Sequence, residues 1–434
     1  MYVVLTIFII TILLMILAIM FKPSLKIYKF SCQSFWVVTL LGAILIVLFS
    51  HIDIKEILTS MTTGKMNPIK ILILFISLSM ISISLDELNF FNFLAVKLIN
   101  KTSGSQYKIF FSIYLMVSLL TIFTSNDIVI LTFTPFICLF SRKAKINPIP
   151  YLIAEFVNAN TYSMLFIIGN PTNIYLASSF DMTFTSYLAK MWLPTLLAGV
   201  STLIVILLLF KKDLSMKIEV IQIDDVSLKN KSLVIINLVI LSITTILLVI
   251  SNYINLEMWA ICLTSLIILS IILTIYSINL KDKSYITKVY KRLPYNLIPF
   301  ILSMFILVLS LKEKGVTEIL ANKLSSISTN LVSEAFTYSL ASTISANLIN
   351  NIPMSVLFSN LVTNSSETAI FASIIGSNIG AYLTPIGALA GIMWMTILKK
   401  HNINFSFITF VKYGLLLVLV SLISSTLGLI ILSI

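Results

Sequence analysis

Charge is scarce in this chain. Only 11% of its 434 residues are Asp, Glu, Lys or Arg, against about 25% in an ordinary soluble domain. So few charges cannot cover a water-facing surface of that size, which excludes a soluble enzyme. Abundant Ile, Leu and Phe exclude a disordered chain. Cysteine is nearly absent as well: Cys32, Cys138 and Cys262 lie far apart in or near apolar runs, so neither a disulfide framework nor a CxxC metal pair follows. Two histidines, His51 and His401, cannot build a His-rich metal site. No GxxxxGK[ST] loop is present, which rules out ATP hydrolysis by that route. No cofactor and no resident metal are expected. The stretch Met1 to Phe21 has no basic leader and no small-residue cleavage site, and reads as a retained helix.

Apolar length, by contrast, is plentiful. Hydrophobic residues make up 58% of the chain and the mean hydropathy is +1.05. A helix rising 1.5 Å per residue needs about 20 apolar residues to span a bilayer core. Such runs fall at 1–21, 35–50, 68–85, 148–189, 191–210, 233–251, 257–278, 295–311, 367–398 and 408–434. Two of them, 148–189 and 367–398, are too long for one straight helix and carry Gly and Pro near the middle. Segments 107–140 and 331–363 are apolar on both sides of a polar centre and read as hairpins dipping in from one side. The expected fold is an all-α polytopic membrane protein with about ten transmembrane helices and two re-entrant hairpins. Stretches 52–60 and 86–98 mix charged and apolar residues and read as lying along the interface.

The net charge of +12 fits this layout without nucleic acid as a partner. With both termini outside the cell membrane, 22 of the 29 basic residues fall in cytoplasmic segments, as the positive-inside rule expects. They include Lys22, Lys26 and Lys29, then Arg142, Lys143 and Lys145, then Lys281, Lys283, Lys288, Lys291 and Arg292. Segment 107–140 is basic at both ends, which a hairpin satisfies and a single crossing does not.

An internal repeat is present. SLDELNFFNFLAVKL at 84–98 answers SLKEKGVTEILANKL at 310–324, and TSNDIVILTFTP at 124–135 answers LINNIPMSVLFS at 348–359. Five crossings separate the two starts, and an odd number inverts the second copy, a plan common among secondary transporters. The chain therefore divides into two leading helices (1–67), repeat 1 (68–210), a linking region (211–294) and repeat 2 (295–434).

The polar centres share one grammar. Ser125-Asn126-Asp127 stops one helix and Ile128 onward starts another; Asn350-Asn351 does the same, with Pro353 just after. Asn170-Pro171 and Thr384-Pro385 each set a capping side chain before a proline, a helix-start signal. Four half-helices are thus expected to begin near mid-membrane. Their free amides carry the positive end of the helix dipole and must be satisfied by protein, water or ligand. Converging, they would form a pocket for an anion or oxygen-rich solute, completed by Ser125, Asn126, Asn170, Thr172, Asn173, Asn350, Asn351 and Thr384. Gly169 and Gly387 would let the backbone turn and a ligand approach. Asp127 reads both as a proton or cation coupling site, since a charge at this depth costs about 2.5–3.5 kcal/mol, and as a cap for the helix at Ile128. Glu155 reads as a second coupling carboxylate or as an interfacial residue near Arg142 and Lys143. The spacings Gly376–Gly380 and Gly387–Gly391 read as close helix packing, and Asn378 as packing or a pocket edge.

At these motifs the sequence resembles the ion transporter superfamily, within it the membrane subunit of arsenite efflux pumps and the citrate-transporter-like carriers. The matching elements are Asn126-Asp127 before LTFTP, NANTYS before GNPTN, Asn350-Asn351-Ile352-Pro353, and GSNIGAYLTPIGALAGIMW at 376–394. The resemblance implies an inverted-repeat carrier that binds solute and coupling ion at the hairpin tips and helix breaks. It implies arsenite or antimonite efflux coupled to protons or sodium. The GNPTN break is more like branches handling sodium, carboxylates or inorganic anions, which leaves a symporter or a sodium/proton antiporter as alternatives; a channel is the competing class. The implied partners are a small anionic or oxyacid solute, the bilayer, a second copy of the chain, and a soluble ATPase subunit such as some arsenite pumps employ.

Overall fold

A computed structural model describes residues 1–22, 24–27, 30–50, 53–62, 67–102, 104–218, 226–279 and 283–434. Lys29, His51, Lys281 and the middle of the 211–232 loop lie outside the described residues. Inside hydrocarbon no water can pair backbone groups, so the apolar runs close their own i→i−4 bonds and become helices. Their starts are set by side chains. Asn67 accepts from the amides of Ile69 and Lys70 and starts Pro68–Glu87. Thr183 accepts from Ser186 and starts the 26-residue Phe184–Leu209, and Asn230 and Ser406 do the same for Lys231–Val249 and Phe407–Ser433. The Thr183 cap corrects the expected span 148–189: that crossing ends at Ser179, and residues 184–189 belong to the next helix.

Among the described residues eight helices are long and apolar enough to cross a membrane, and the element order shows the expected duplication. Pro68–Glu87, Phe90–Thr102, the hairpin Gln106–Phe123 with Asn126–Ala144, the interrupted pair Ile149–Tyr162 and Pro171–Ser179, and Phe184–Leu209 form the first copy. Leu297–Glu313, Val316–Ile327, the hairpin Leu331–Ile349 with Asn351–Leu361, the interrupted pair Glu367–Ile379 and Leu389–Lys400, and Phe407–Ser433 form the second. The stretch 86–98 resolves into the end of one helix and the short helix Phe90–Thr102.

Both hairpins are re-entrant, and they enter from opposite ends. The base of hairpin 1 meets one segment at both its arms: Gln106 Nε2 donates to Met216 O at 3.0 Å, and Asn147 Nδ2, just past the return arm, donates to Asp213 at 2.8 Å. The base of hairpin 2 is closed by Ser366 Oγ donating to Glu334 at 2.6 Å and by the Tyr338–Ser365 hydroxyl pair at 2.9 Å. At the first, basic end, Arg292 pairs with Asp86 and Glu87, each at 2.7 Å, and Arg142 donates to His401 O.

The remaining helices pack around these copies. Tyr2–Phe21 lies on Ser34–Ser50, which in turn lies on Leu297–Glu313 through a Thr39–Ser303 hydrogen bond and a Phe35–Phe300 edge contact at 4.9 Å. Lys231–Val249 and Met258–Asn279 pack on each other and on Pro68–Glu87. One element departs from the all-α expectation. Ser24–Ile27 and Phe30–Gln33 pair antiparallel at the first connection.

The tightest helix contact is between Leu331–Ile349 and Glu367–Ile379, and it depends on Gly376. A Cβ there would fall 1.9 Å from Ser342 Oγ and 2.2 Å from the Ser339 carbonyl oxygen, which is backbone and cannot step aside. Gly376→Val is expected to cut the yield of monodisperse protein in detergent severely. Gly376→Ala should lower the thermal midpoint by the equivalent of about 1–3 kcal/mol, measured by fluorescence size-exclusion after heating.

Candidate functional site

The tip of hairpin 1 is built from three consecutive polar residues. Gln106–Phe123 ends, Thr124 and Ser125 take extended backbone, and the return helix begins at Asn126 with Ser125 at its N-cap. Asp127 therefore lies inside the first turn and does not cap the helix. Asn126 is 2% exposed; its Oδ1 accepts from the Asp127 amide at 2.9 Å, and its Nδ2 donates to Asn160 Oδ1 at 3.1 Å. Ser125 Oγ is buried without a partner. The Asp127 carboxylate, half-buried, takes no hydrogen bond or ion pair among the described residues.

Hairpin 2 turns more sharply. Asn350 sits at φ 72°, ψ 152°, a conformation that belongs to glycine and costs another residue about 1–3 kcal/mol. Docking holds it there: Asn350 Nδ2 donates to Ile386 O at 2.9 Å, and the Asn351 amide donates to Gly387 O at 3.0 Å. The same Asn350 side chain caps its own helix through the Ile352 amide.

At the first break the expected start is present. Asn170 caps the helix at Pro171 by accepting from the Thr172 amide at 3.2 Å. Its Nδ2 donates to Asn378 Oδ1 at 2.9 Å. Asn378 also accepts from Ser163 and donates to Asn173 Oδ1 at 2.7 Å, while Thr172 and Ser377 share a hydroxyl bond at 3.1 Å. Asn378, which the sequence left between packing and pocket, is thus where the two interrupted crossings are joined.

The second break differs from expectation. Its helix begins at Leu389 with Ala388 as N-cap, four residues beyond Pro385. Thr384 caps nothing. Its amide and hydroxyl both donate to Asn347 Oδ1, at 3.0 and 2.7 Å, while Asn347 Nδ2 donates to the Gly380 carbonyl at 2.9 Å. Asn347 had no motif to mark it, yet it pairs the unwound strand more fully than any cap would. The glycines are also corrected. The room a Cβ would take at Gly169 is filled by Ser163 O at 2.2 Å, and at Gly387 by Gly380 O at 2.6 Å. Both let the break fold against its own backbone, and Gly387 also meets Asn347 Oδ1 of hairpin 2 at 2.8 Å. Gly391 packs on Pro385 O within its own break, so of the two spacings it is Gly376–Gly380 that meets a neighbouring helix through both of its glycines.

The four interruptions are therefore joined by one polar network, but they do not share one open pocket. The half-helix Asn351–Leu361 packs on Pro171–Ser179, and Asn126–Ala144 packs on Leu389–Lys400, so each hairpin meets the broken crossing of the other repeat. Asn170, Thr172, Asn173, Asn350 and Asn351 are buried and bonded to protein. A cavity of about 650 Å³ reaches the hairpin 1 tip, at Ser125 and Asp127, and the helix start at Leu389. It is walled by Phe75 and Ile83, by Ile128 and Leu131, and by Leu389, Ile392 and Met393, and rimmed by Lys291, Arg292 and Lys400. A second cavity of about 490 Å³ lies near the opposite end, beside Lys70, Asp181 and Glu257. Lys70 pairs with Glu257 there and holds that carboxyl below its usual range.

Glu155 does not face solvent. It is fully buried, with Thr134 Oγ1 donating to one oxygen and Trp394 Nε1 to the other, both at 3.1 Å. Among the described residues no group of three or more His, Cys, Asp or Glu stands ready for a metal.

The family model described as citrate transporter matches residues 15–372. An arsenical pump membrane protein of Escherichia coli is 24% identical over 357 residues, 80% of this chain and 82% of that one. The arsenical pump membrane protein of Yersinia enterocolitica is 24% identical over 359 residues, with the same coverage. Among solved structures, the YdaH transporter of Alcanivorax borkumensis superposes with a TM-score of 0.60 at 11% identity, covering 99% of this chain and 97% of that one. That likeness is one of fold.

The strained tip gives a test of how hairpin 2 is held. Asn350→Gly removes the docking hydrogen bond but also the strain, whereas Asn350→Ala removes the bond and keeps the strain. The alanine variant should unfold at the lower temperature, with a gap equivalent to about 1–2 kcal/mol, read by differential scanning fluorimetry in detergent.

Proposed function

The chain belongs to the citrate transporter family, and from that premise we propose that it is a secondary active transporter of a small anion or oxyacid. Arsenite or antimonite efflux is the favoured activity, coupled to protons or sodium and working by alternating access. Membership makes it a multi-pass membrane transporter and not an enzyme. The names of the arsenical pump relatives support the oxyacid. The family description supports the second reading, a sodium-coupled carboxylate or inorganic-anion symporter.

One observation carries the proposal: a cavity runs from a rim of Lys291, Arg292 and Lys400 to the unpartnered Ser125 hydroxyl and Asp127 carboxylate at a helix start. Arg292 is already paired with Asp86 and Glu87, so it is Lys291 and Lys400 that raise the local concentration of an anion. We assign that end to the cytoplasm, where basic loops collect, with both chain termini outside and the protein in the cell membrane. At the inner end the Ser125 hydroxyl can donate to a solute oxygen, or accept from a solute hydroxyl or a cation. Asp127 is the coupling group of this scheme: ionised, it holds a proton-donating solute or a sodium ion; protonated, it lets them go. Transport then requires the repeats to exchange roles, hairpin 1 sealing and hairpin 2 opening toward the far cavity. A second copy of the chain and a soluble ATPase subunit complete the proposed partners.

Everted membrane vesicles loaded by sodium or proton gradients test this with radiolabelled arsenite, phosphate and citrate. Gradient-dependent accumulation of one of them is expected, and Asp127→Asn should abolish it while leaving expression and melting unchanged. Ser125→Ala should raise the KM about tenfold, the worth of one hydrogen bond to solute, without loss of stability, because its hydroxyl bonds nothing in the fold. Wild-type transport by Asp127→Asn would remove that residue from the mechanism, and single-channel current in planar bilayers would replace a carrier by a pore.

A further inference from the structure

Two of the elements that wall the large cavity come from different repeats. One is the return half-helix of hairpin 1, Asn126–Ala144, with Asp127, Ile128 and Leu131; the other is the second half of the second broken crossing, Leu389–Lys400, with Leu389, Ile392 and Met393. Behind them stands Ile149–Tyr162, and from it a single side chain reaches both. Thr134 Oγ1 on the first wall donates to Glu155 Oε1 at 3.1 Å, and Trp394 Nε1 on the second donates to Glu155 Oε2 at 3.1 Å. All three groups are out of solvent, at 0% for Glu155 and Thr134 and 1% for Trp394, and Glu155 does not line the cavity.

We propose that Glu155 is a positioning residue that clamps the two cavity walls together from behind and so fixes the spacing between Leu131 and Ile392. Its chemistry suits the task. An indole N–H only donates, so Trp394 needs an acceptor, and no other is bonded to it. The ring is fixed in turn by Phe156 and Phe405, each at 5.2 Å, and by Phe410 at 5.8 Å. A swing of Leu389–Lys400 away from Asn126–Ala144 would strand a buried donor and a buried carboxyl, the costly way to break a hydrogen bond. The clamp therefore makes the walls move as one body, whichever solute lies between them. Its bearing on transport rests on the cavity being the solute's site.

The test measures wall spacing directly and needs no substrate. In a background with Cys32, Cys138 and Cys262 replaced by alanine, cysteines at Leu131 and Ile392 are cross-linked with bis-methanethiosulfonates of graded length. The parent is expected to favour one length sharply. Thr134→Val, which is nearly isosteric, should flatten that preference about tenfold, the loss expected with one hydrogen bond to a carboxyl, and Trp394→Phe, which removes the N–H together with part of the buried ring, at least as much. Glu155→Leu should flatten it further. Glu155→Gln should keep it, because its carbonyl accepts from Trp394 while its amide donates to Thr134. Unchanged length preference in both Thr134→Val and Trp394→Phe overturns the clamp, as does a flattened preference in Glu155→Gln. Absence of arsenite, phosphate or citrate transport would overturn the proposed function while leaving this result standing.

Discussion

A backbone that stops being helical inside a bilayer must find partners for every amide and carbonyl it frees, and this constraint shapes the centre of the molecule. Each unpaired group in hydrocarbon costs several kcal/mol. The chain meets the demand with asparagine, whose amide can donate and accept at once. Asn347 closes the unwound stretch at 383–388 from both sides. Asn378 joins the two interrupted crossings through Ser163, Asn170 and Asn173. Asn350 caps one helix and docks it on the unwound stretch at Ile386 with the same side chain. These bonds are why the breaks are ordered and why they lie together.

The two hairpins solve the constraint differently, although they descend from the same pattern. Hairpin 2 presses its strained tip onto the break at Ile386–Gly387 and is closed. Hairpin 1 bonds sideways to Asn160 and leaves the Ser125 hydroxyl without a partner beside a cavity. The two inverted copies are thus held in unlike arrangements, hairpin 2 docked on a break and hairpin 1 beside a cavity.

Much of this was legible in the residues themselves. Apolar run length placed the crossings, because the bilayer fixes how many residues a span needs. Basic residues at both ends of 107–140 identified a hairpin, and the hydrogen bonds of its base confirm it. Asn170-Pro171 read as a helix start and is one. Thr384-Pro385 carries the same local signal and is not, because a residue 37 positions earlier, Asn347, captures Thr384. Local capping rules have no access to such a partner. For the same reason the sequence showed which side chains are polar and central but not which are already occupied. Asn170, Thr172 and Asn173 looked like ligands and are bonded to protein; Glu155 looked near the interface and is sealed by an indole contributed from residue 394.

That distinction separates the two carboxylates of repeat 1. Both lie on helices that face the centre, and composition alone gives them equal claim to a coupling role. Asp127 stands at a helix start beside a cavity, its carboxylate without a partner among the described residues. Glu155 has both oxygens engaged and no exposed surface, so any exchange there would first require the cavity walls to part. The proposed coupling role therefore falls to Asp127 and the proposed clamp to Glu155. The inverted repeat supplies no acidic partner for either, since Asn351 occupies the place that answers Asp127. Charge at the centre is therefore carried by one repeat, and the two halves cannot be energetically equivalent however closely their helices correspond.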